Sequence, residues 1–198
     1  MTTPSTPPPE FDLPLSWGGP EGIGETFEHP PAAEAPEIEA QSGEDVRRAL
    51  RRTFGLFATG VTIIATRHGD QVHGMTANAF MSISLEPPLV LISVDRRTKM
   101  CGLLHGGATY GVSVLHQAQS ALSDHFAGRA GQGSEVPQFH VVHDTPLVEG
   151  ALAAFVARVV RSYWGGDHSL FLGQVEYART GTGAPLLFHG GRYERLES

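Results

Sequence analysis

From residue 59 onward the chain breaks into short runs crowded with β-branched and aromatic residues, separated by Gly, Pro, Asp and Asn. Side chains on a strand repeat every two residues, and strands of a sandwich or barrel are short and closely punctuated, so this texture predicts a mainly β body. The runs place strands at 61–67, 71–77, 79–85, 89–95, 110–115, 151–163, 168–180 and 186–195. His68, Gly69 and Asp70 supply a hairpin turn between the first two. Helical signals are sparse. They predict pieces at 98–105 and 117–127, the second closed by Gly128. A further helix opens the body: Ser42 and Asp45 have capping-box spacing, and Val46, Leu50, Phe54 and Phe57 share one face opposite Arg47, Arg48, Arg51 and Arg52.

Upstream of that helix the pattern disappears. The first 43 residues hold nine of the 14 prolines and keep no sustained period of either kind. Such a segment lacks the apolar surface to offset its ordering entropy, so 1–43 reads as a disordered tail and 44–198 as one domain. Charge divides at the same place. Residues 1–45 contain ten acidic groups and no Lys or Arg, which leaves the body near +3 within a total of −7. The tail is thus an inert extension or an acidic docking arm, while the weakly basic body suits an anionic small molecule. An acidic total speaks against nonspecific nucleic-acid binding. No apolar run reaches the roughly 18 to 20 residues needed to span a bilayer, and the N-terminus lacks a secretory pattern. Cys101 is the single cysteine, so one chain can build neither a disulfide nor a thiolate metal cage. A cytoplasmic protein without membrane attachment is expected.

Familiar nucleotide motifs do not fit. Gly19, Gly22 and Gly24 lie in the tail with no strand before them, and Gly128, Gly131 and Gly133 do not open a helix in a βαβ unit. His140, His143 and Asp144 are the closest metal-like cluster, but a third strong ligand is missing nearby, so they read as solvated loop residues and no metal is expected. No G-x-S-x-G elbow occurs. More informative are the small polar residues Thr59, Thr76, Asn78, Ser82, Ser84 and Ser93, which interrupt otherwise apolar strands. Each needs a partner when buried. A flat heterocycle such as isoalloxazine offers partners along its pyrimidine edge and needs apolar walls for its body. Arg96, Arg97, Thr98 and Lys99 cluster at a strand end, where cations and a hydroxyl could grip a phosphate. The residues alone leave two readings open: such a site, or a polar-decorated β core with a solvated basic turn.

Taken in order, the segments F-A-T-G-V-T, G-M-T-A-N-A-F, S-L-E-P-P-L-V-L, V-D-R-R-T, Y-G-V-S-V-L, L-S-D-H-F-A, P-L-V-E-G-A-L-A, G-D-H-S-L-F-L-G-Q-V and L-L-F-H-G-G-R-Y resemble the FMN-binding split-barrel family of flavin reductases. Within it they are most similar to the small reductase components of two-component monooxygenases, and the match runs from Phe54 to Tyr193. The resemblance implies a mainly β, Greek-key-like split barrel. It also implies a homodimer with flavin at the subunit interface, hydride transfer from NADH or NADPH to FMN or FAD, and diffusion of reduced flavin to a partner monooxygenase. Carried onto this chain, it assigns Thr59, Gly60, Thr76, Ala77, Asn78 and Ser82 to the ring and ribityl chain. Ser93, Val94, Asp95, Arg96 and Thr98 follow the phosphate side. Gly166, Asp167 and His168 form the G-D-H loop associated with nicotinamide binding, with His168 as the catalytic candidate in a positioning role. Arg192 and Tyr193 belong to the adjacent C-terminal motif.

Two positions depart from the family pattern. Ser113 stands where an amide is frequent, and Ala79 where a serine is frequent, so the hydrogen bonds offered to flavin there are altered. Competing functions are a split-barrel oxidoreductase that keeps its flavin and reduces another substrate, and a noncatalytic flavin-binding module. A haem-binding split barrel would need an axial-ligand motif that the chain does not display.

Overall fold

The alternating runs become strands in the computed structural model, which describes residues 38, 44–104, 106–129 and 137–196. In chain order the elements are α1 (Val46–Phe54), β1 (Thr59–Gly60), β2 (Thr62–His68), β3 (Gln71–Ala77), β4 (Phe80–Leu85), β5 (Pro88–Asp95), α2 (Lys99–Leu103), β6 (Thr109–Val114), α3 (Ser120–Phe126), β7 (Phe139–Val142), β8 (Thr145–Val148), β9 (Ala153–Gly165), β10 (His168–Thr180), β11 (Leu187–His189) and β12 (Arg192–Glu194). Seven strands form one antiparallel sheet in the order β3-β2-β6-β9-β10-β5-β4. A small sheet, β1-β11-β12, and the hairpin β7-β8 complete the β structure among the described residues.

The two 13-residue strands β9 and β10 pair along almost their whole length, yet they serve different neighbours. The first half of β9 carries β6, while the first half of β10 carries β5. Because the hairpin is antiparallel, these two attachments fall toward opposite ends of it. Register shifts at Leu172/Gly173 and Val175/Tyr177 bend the pair between them. The sheet therefore curls and splits instead of stacking flat, in keeping with the expected mainly β split barrel.

Strand β2 shows how sequence and layering agree. Its T-I-I-A-T run is buried on both faces: Ile64 joins the cluster with Ile92, Val94, Tyr110 and Val112, whereas Ile63 and Ala65 join Val61, Leu115, Val148 and Leu186. A strand covered on both sides reads as a continuous apolar run, not as an alternation. Two glycines allow the layers to approach. A Cβ at Gly173 would run into the Tyr110 phenol, and one at Gly111 would run into the Pro146 carbonyl oxygen and come within 2.7 Å of Leu147 Cδ2.

Several elements differ from expectation. The cap of α1 falls on Asp45, whose carboxylate accepts from the Arg48 amide at 2.9 Å; Ser42 and the proposed tail, apart from Ile38, lie outside the described residues. Ala49 of α1 is buried and Leu50 half-buried, while Val46, Phe54 and Phe57 are exposed, so most of the apolar face does not pack into its own domain. The piece expected at 117–127 begins later, at Ser120, because the Gln119 side chain accepts from the His116 amide and holds a turn first. The strand expected at 186–195 is instead the β11–β12 hairpin, reversed at Gly190 and Gly191, both with positive φ. Strands β1, β7 and β8 were not expected: they are only two to four residues long, and β7–β8 turns through His143 and Asp144 at φ 47° and 60°. No described helix is long and apolar enough to cross a membrane.

Gly111→Ala is expected to lower unfolding free energy by about 2 kcal/mol, since the new Cβ meets backbone that cannot move aside cheaply. Gly102→Ala on α2, where a Cβ meets nothing within 4 Å, is expected to leave stability equal or raise it by roughly 0.5 kcal/mol. Urea unfolding of the pair measures the difference.

Candidate functional site

The C-terminal hairpin builds one wall of the site. β11 pairs with β1 through Thr59↔Phe188 and Gly60↔Leu187, and the Gly190 amide donates to the Gly55 carbonyl at 2.8 Å. These bonds hold the chain from the end of α1 to Gly60 against the sheet. The Asn78–Ala79 crossover between β3 and β4 is fixed in turn by the Ser93 amide, which donates to the Ala79 carbonyl at 3.1 Å. Between these segments and the outer face of β5 and β10 lies a groove of about 860 Å³. Phe54, Phe57, Met81, Leu91 and Leu170 give it apolar walls, and Thr59, Asn78 and Ser93 give it polar points.

Hydroxyl partners separate site from scaffold. Thr62 Oγ1 donates to the Ala77 carbonyl at 2.7 Å and Thr76 Oγ1 to the Ser123 carbonyl at 2.6 Å, so both are committed internally. Thr59 Oγ1 is buried at the groove with no hydrogen-bond partner among the described residues. A buried hydroxyl without a partner costs free energy, and a ligand carrying a carbonyl or imide edge would supply one. Gly60 beside it leaves open space where a Cβ would stand. Apolar walls around a few unsatisfied polar points suit a flat heterocycle with a polar edge, so the residues present fit an isoalloxazine ring.

The G-D-H segment forms the β9–β10 turn, with Gly166 at φ +70°. Asp167 Oδ1 lies 2.7 Å from His168 Nδ1. That hydrogen bond holds the Asp167 carboxyl below the usual carboxylate range. His168 pairs in register with Asp95, and Leu170 with Ser93. Residues two apart share a face, so His168 stands on the groove side of the sheet, one pleat or roughly 7 Å beyond Leu170. Asp95 is gripped by Arg97 through Nε at 3.1 Å and Nη2 at 2.7 Å, which keeps its carboxyl far below the ordinary range.

A second, smaller pocket of about 190 Å³ adjoins the groove across Asn78. Thr76, Ala77, Ser123, Arg129 and Tyr193 line it. The Tyr193 hydroxyl lies 2.8 Å from Ser123 Oγ and 2.9 Å from Asp124 Oδ1, and it accepts from Arg129 Nη2 at 2.9 Å. Tyr193 is thus a bonding hub joining β12 to α3.

Of the residues expected at the site, Thr59, Gly60, Asn78 and Ser93 meet at the groove, with Gly166, Asp167 and His168 beside it. Others are placed elsewhere. Ser113 is fully buried and its Oγ accepts from the Val148 amide at 2.9 Å, so the short side chain ties β6 to β8. The Val94 side chain is wholly inside the core. Thr98 caps α2: its Oγ1 donates to the Asp95 carbonyl and accepts from the Cys101 amide. Ser82 is exposed on β4 outside the groove lining, and exposed Arg192 pairs with Glu194 at 2.7 Å. The Arg96 guanidinium stacks over Trp164, 4.3 Å from the ring centroid.

Sequence reasoning missed the apolar walls, because Met81, Leu91 and Leu170 look like ordinary core residues until the fold exposes them. His140 bonds Glu149, and Asp144 pairs with Arg67. Among the described residues no group of three or more His, Cys, Asp and Glu side chains could hold a metal ion.

Comparison with known proteins agrees with this geometry. Residues 54–197 match the model of the flavin reductase like domain. The chain is 46% identical over 151 residues to an NADH-dependent flavin reductase from a Rhodococcus species, spanning 75% of this chain and 85% of the relative. It is 41% identical over 152 residues to the reductase component of 4-hydroxyphenylacetate 3-monooxygenase from Thermus thermophilus, covering 76% and 97%. Among solved structures, the NADH:FAD oxidoreductase of Streptomyces globisporus in complex with NAD and FAD fragments superposes with a TM-score of 0.70 at 39% identity, covering 77% of this chain and 93% of that one.

Tyr193→Phe is expected to destabilise the fold by about 1 to 2 kcal/mol, because one hydroxyl serves three partners. Arg192→Ala, which removes an exposed ion pair, is expected to cost less than about 0.5 kcal/mol. Urea midpoints of the two variants check the contrast.

Proposed function

The chain belongs to the flavin reductase-like family, and from that premise we propose that it is an NADH-dependent reductase of free FMN or FAD. In this reading it releases reduced flavin to a partner monooxygenase. The observation that carries it is the partnerless Thr59 hydroxyl in an apolar groove on the same sheet face as His168. Relatives are named for NADH, and both FAD and FMN occur among their flavins.

When bound, flavin supplies at N5 the acceptor for the hydride that NADH carries at nicotinamide C4. The protein's part is to position and to exclude water. Thr59, Asn78 and Ser93 hold the polar edge, and Leu91 and Leu170 wall the ring. Asp167 stays ionised and can only accept, so it keeps the proton on His168 Nδ1 and leaves Nε2 as the ring's other hydrogen-bonding atom. His168 orients the nicotinamide in this scheme and donates no proton to the hydride step.

The assembly in this reading is a homodimer. Phe54 and Phe57 at the groove rim are 70% and 78% exposed in one copy, a large exposure for aromatic side chains beside a binding site. A second copy laid over this face closes the open side of the groove and dries it. The lone Cys101 and the use of NADH agree with a cytoplasmic location.

Oxidation of NADH and NADPH, followed by nicotinamide absorbance with no flavin, FMN, FAD or riboflavin added, tests the proposal. Turnover that depends on added flavin and prefers NADH is expected; flavin binding without turnover would overturn it. Thr59→Val is expected to weaken oxidised-flavin binding about tenfold, while stability without flavin stays equal or rises, since no protein hydrogen bond is lost. Flavin-fluorescence titration and urea unfolding read the two effects.

A further inference from the structure

We propose that Arg96 and Trp164 act as a positioning pair that staples the G-D-H turn from behind and so sets how the nicotinamide is presented, and that Arg96 is not a phosphate ligand. The inference rests on the reading of His168 as the nicotinamide-facing residue.

The pairing register defines two faces. Ser93 and Asp95 on β5 and Leu170 and His168 on β10 share the groove face, while Val94 and Ser169 share the opposite one. Trp164 on β9 is the register partner of Ser169, so it stands on that opposite face. Arg96 follows Asp95, and its amide donates to the Asp167 carbonyl at 3.1 Å, adding one rung beyond the last β5–β10 pair. Its guanidinium then lies 4.3 Å from the Trp164 ring centroid, behind the sheet and away from Ser93.

What this contact holds explains its value. Gly165 and Gly166 separate Trp164 from Asp167, and Gly166 adopts φ +70°. Two consecutive glycines make a turn with large conformational entropy, so little in the turn itself selects one geometry. Arg96 grips both sides of that pair at once, Asp167 by its amide and Trp164 by its guanidinium. Asp167 in turn holds His168 Nδ1 at 2.7 Å. Arg96 thus reaches the imidazole through two contacts, without entering the groove. Arg97, the adjacent cation, is bound to the Asp95 carboxylate.

The test uses Arg96→Met, Trp164→Leu, their combination and Trp164→Phe in the full chain. The KM for NADH, the Kd of oxidised FMN and hydrogen exchange of the 165–168 amides are measured for each. Arg96→Met and Trp164→Leu are each expected to raise the NADH KM about threefold to tenfold, the scale of an exposed cation–π contact and the ordering it imposes. The FMN Kd stays within about twofold of the parent, the turn amides exchange faster, and the double variant is no worse than either single one. Trp164→Phe, which keeps a π face, restores the parent KM. Loss of FMN affinity in Arg96→Met with Trp164→Leu unchanged would make Arg96 a phosphate ligand and overturn the proposal, as would an unaltered KM and unaltered exchange in both. Failure of the functional reading itself is visible separately, as absence of flavin-dependent NADH oxidation in the parent protein.

Discussion

The antiparallel pairing of β9 with β10 is the constraint on which the other elements depend. Thirteen residues on each strand are zipped together, and two register shifts bend the zipper. β6 and β5 attach toward opposite ends of this hairpin, so β2–β3 and β4–β5 are carried to different sides of the curled sheet. The groove sits against the β5–β10 end of that arrangement, and the turn that closes the hairpin is the G-D-H segment. Fold and site therefore share one structural cause: the strand pair that bends the sheet also delivers His168 to the groove side.

Hydroxyl groups are spread widely through the strands, and most serve the scaffold. Thr62, Thr76, Thr98 and Ser113 each bond a backbone group, joining β2 to β3, β3 to α3, the β5 end to α2, and β6 to β8. Buried polar groups are tolerated when such partners exist, and they then specify how layers dock. Thr59 departs from this pattern, because β1 is held by its backbone pairing to β11 and leaves the side chain with nothing to bond. The Tyr110 hydroxyl also lacks a partner, but it is enclosed in the core against Gly173; the missing partner marks a binding residue at Thr59 because that hydroxyl lies at the groove.

The aromatic rim of the groove follows a similar logic. Helix α1 fully buries only Ala49, and the Arg residues of its opposite face are exposed, so among the described residues most of its apolar face has no covering layer. Phe54 and Phe57 then stand at the mouth of the groove, anchored by the bond between Gly190 and Gly55. An apolar surface of this kind beside polar binding points is a feature of recognition sites, where it excludes water from the ligand once covered.

By itself the sequence determined the mainly β class, the strands β3 and β10 to the residue, most of β2, β4, β5, β6 and β9, and the family to which the chain belongs. These were legible because strand periodicity is local and because several motifs recur in fixed order over the body. Tertiary structure decided the rest. The hairpin β7–β8 is too short to show a period, and β11–β12 is reversed by two glycines inside what looks like one strand. Ser113, Val94, Thr98 and Arg96 sit within family motifs, yet the pleat and a few long-range bonds turn their side chains toward β8, the core, α2 and Trp164. Which face a side chain occupies depends on pairing register, and register is set by contacts between residues far apart in the chain, which no local pattern records.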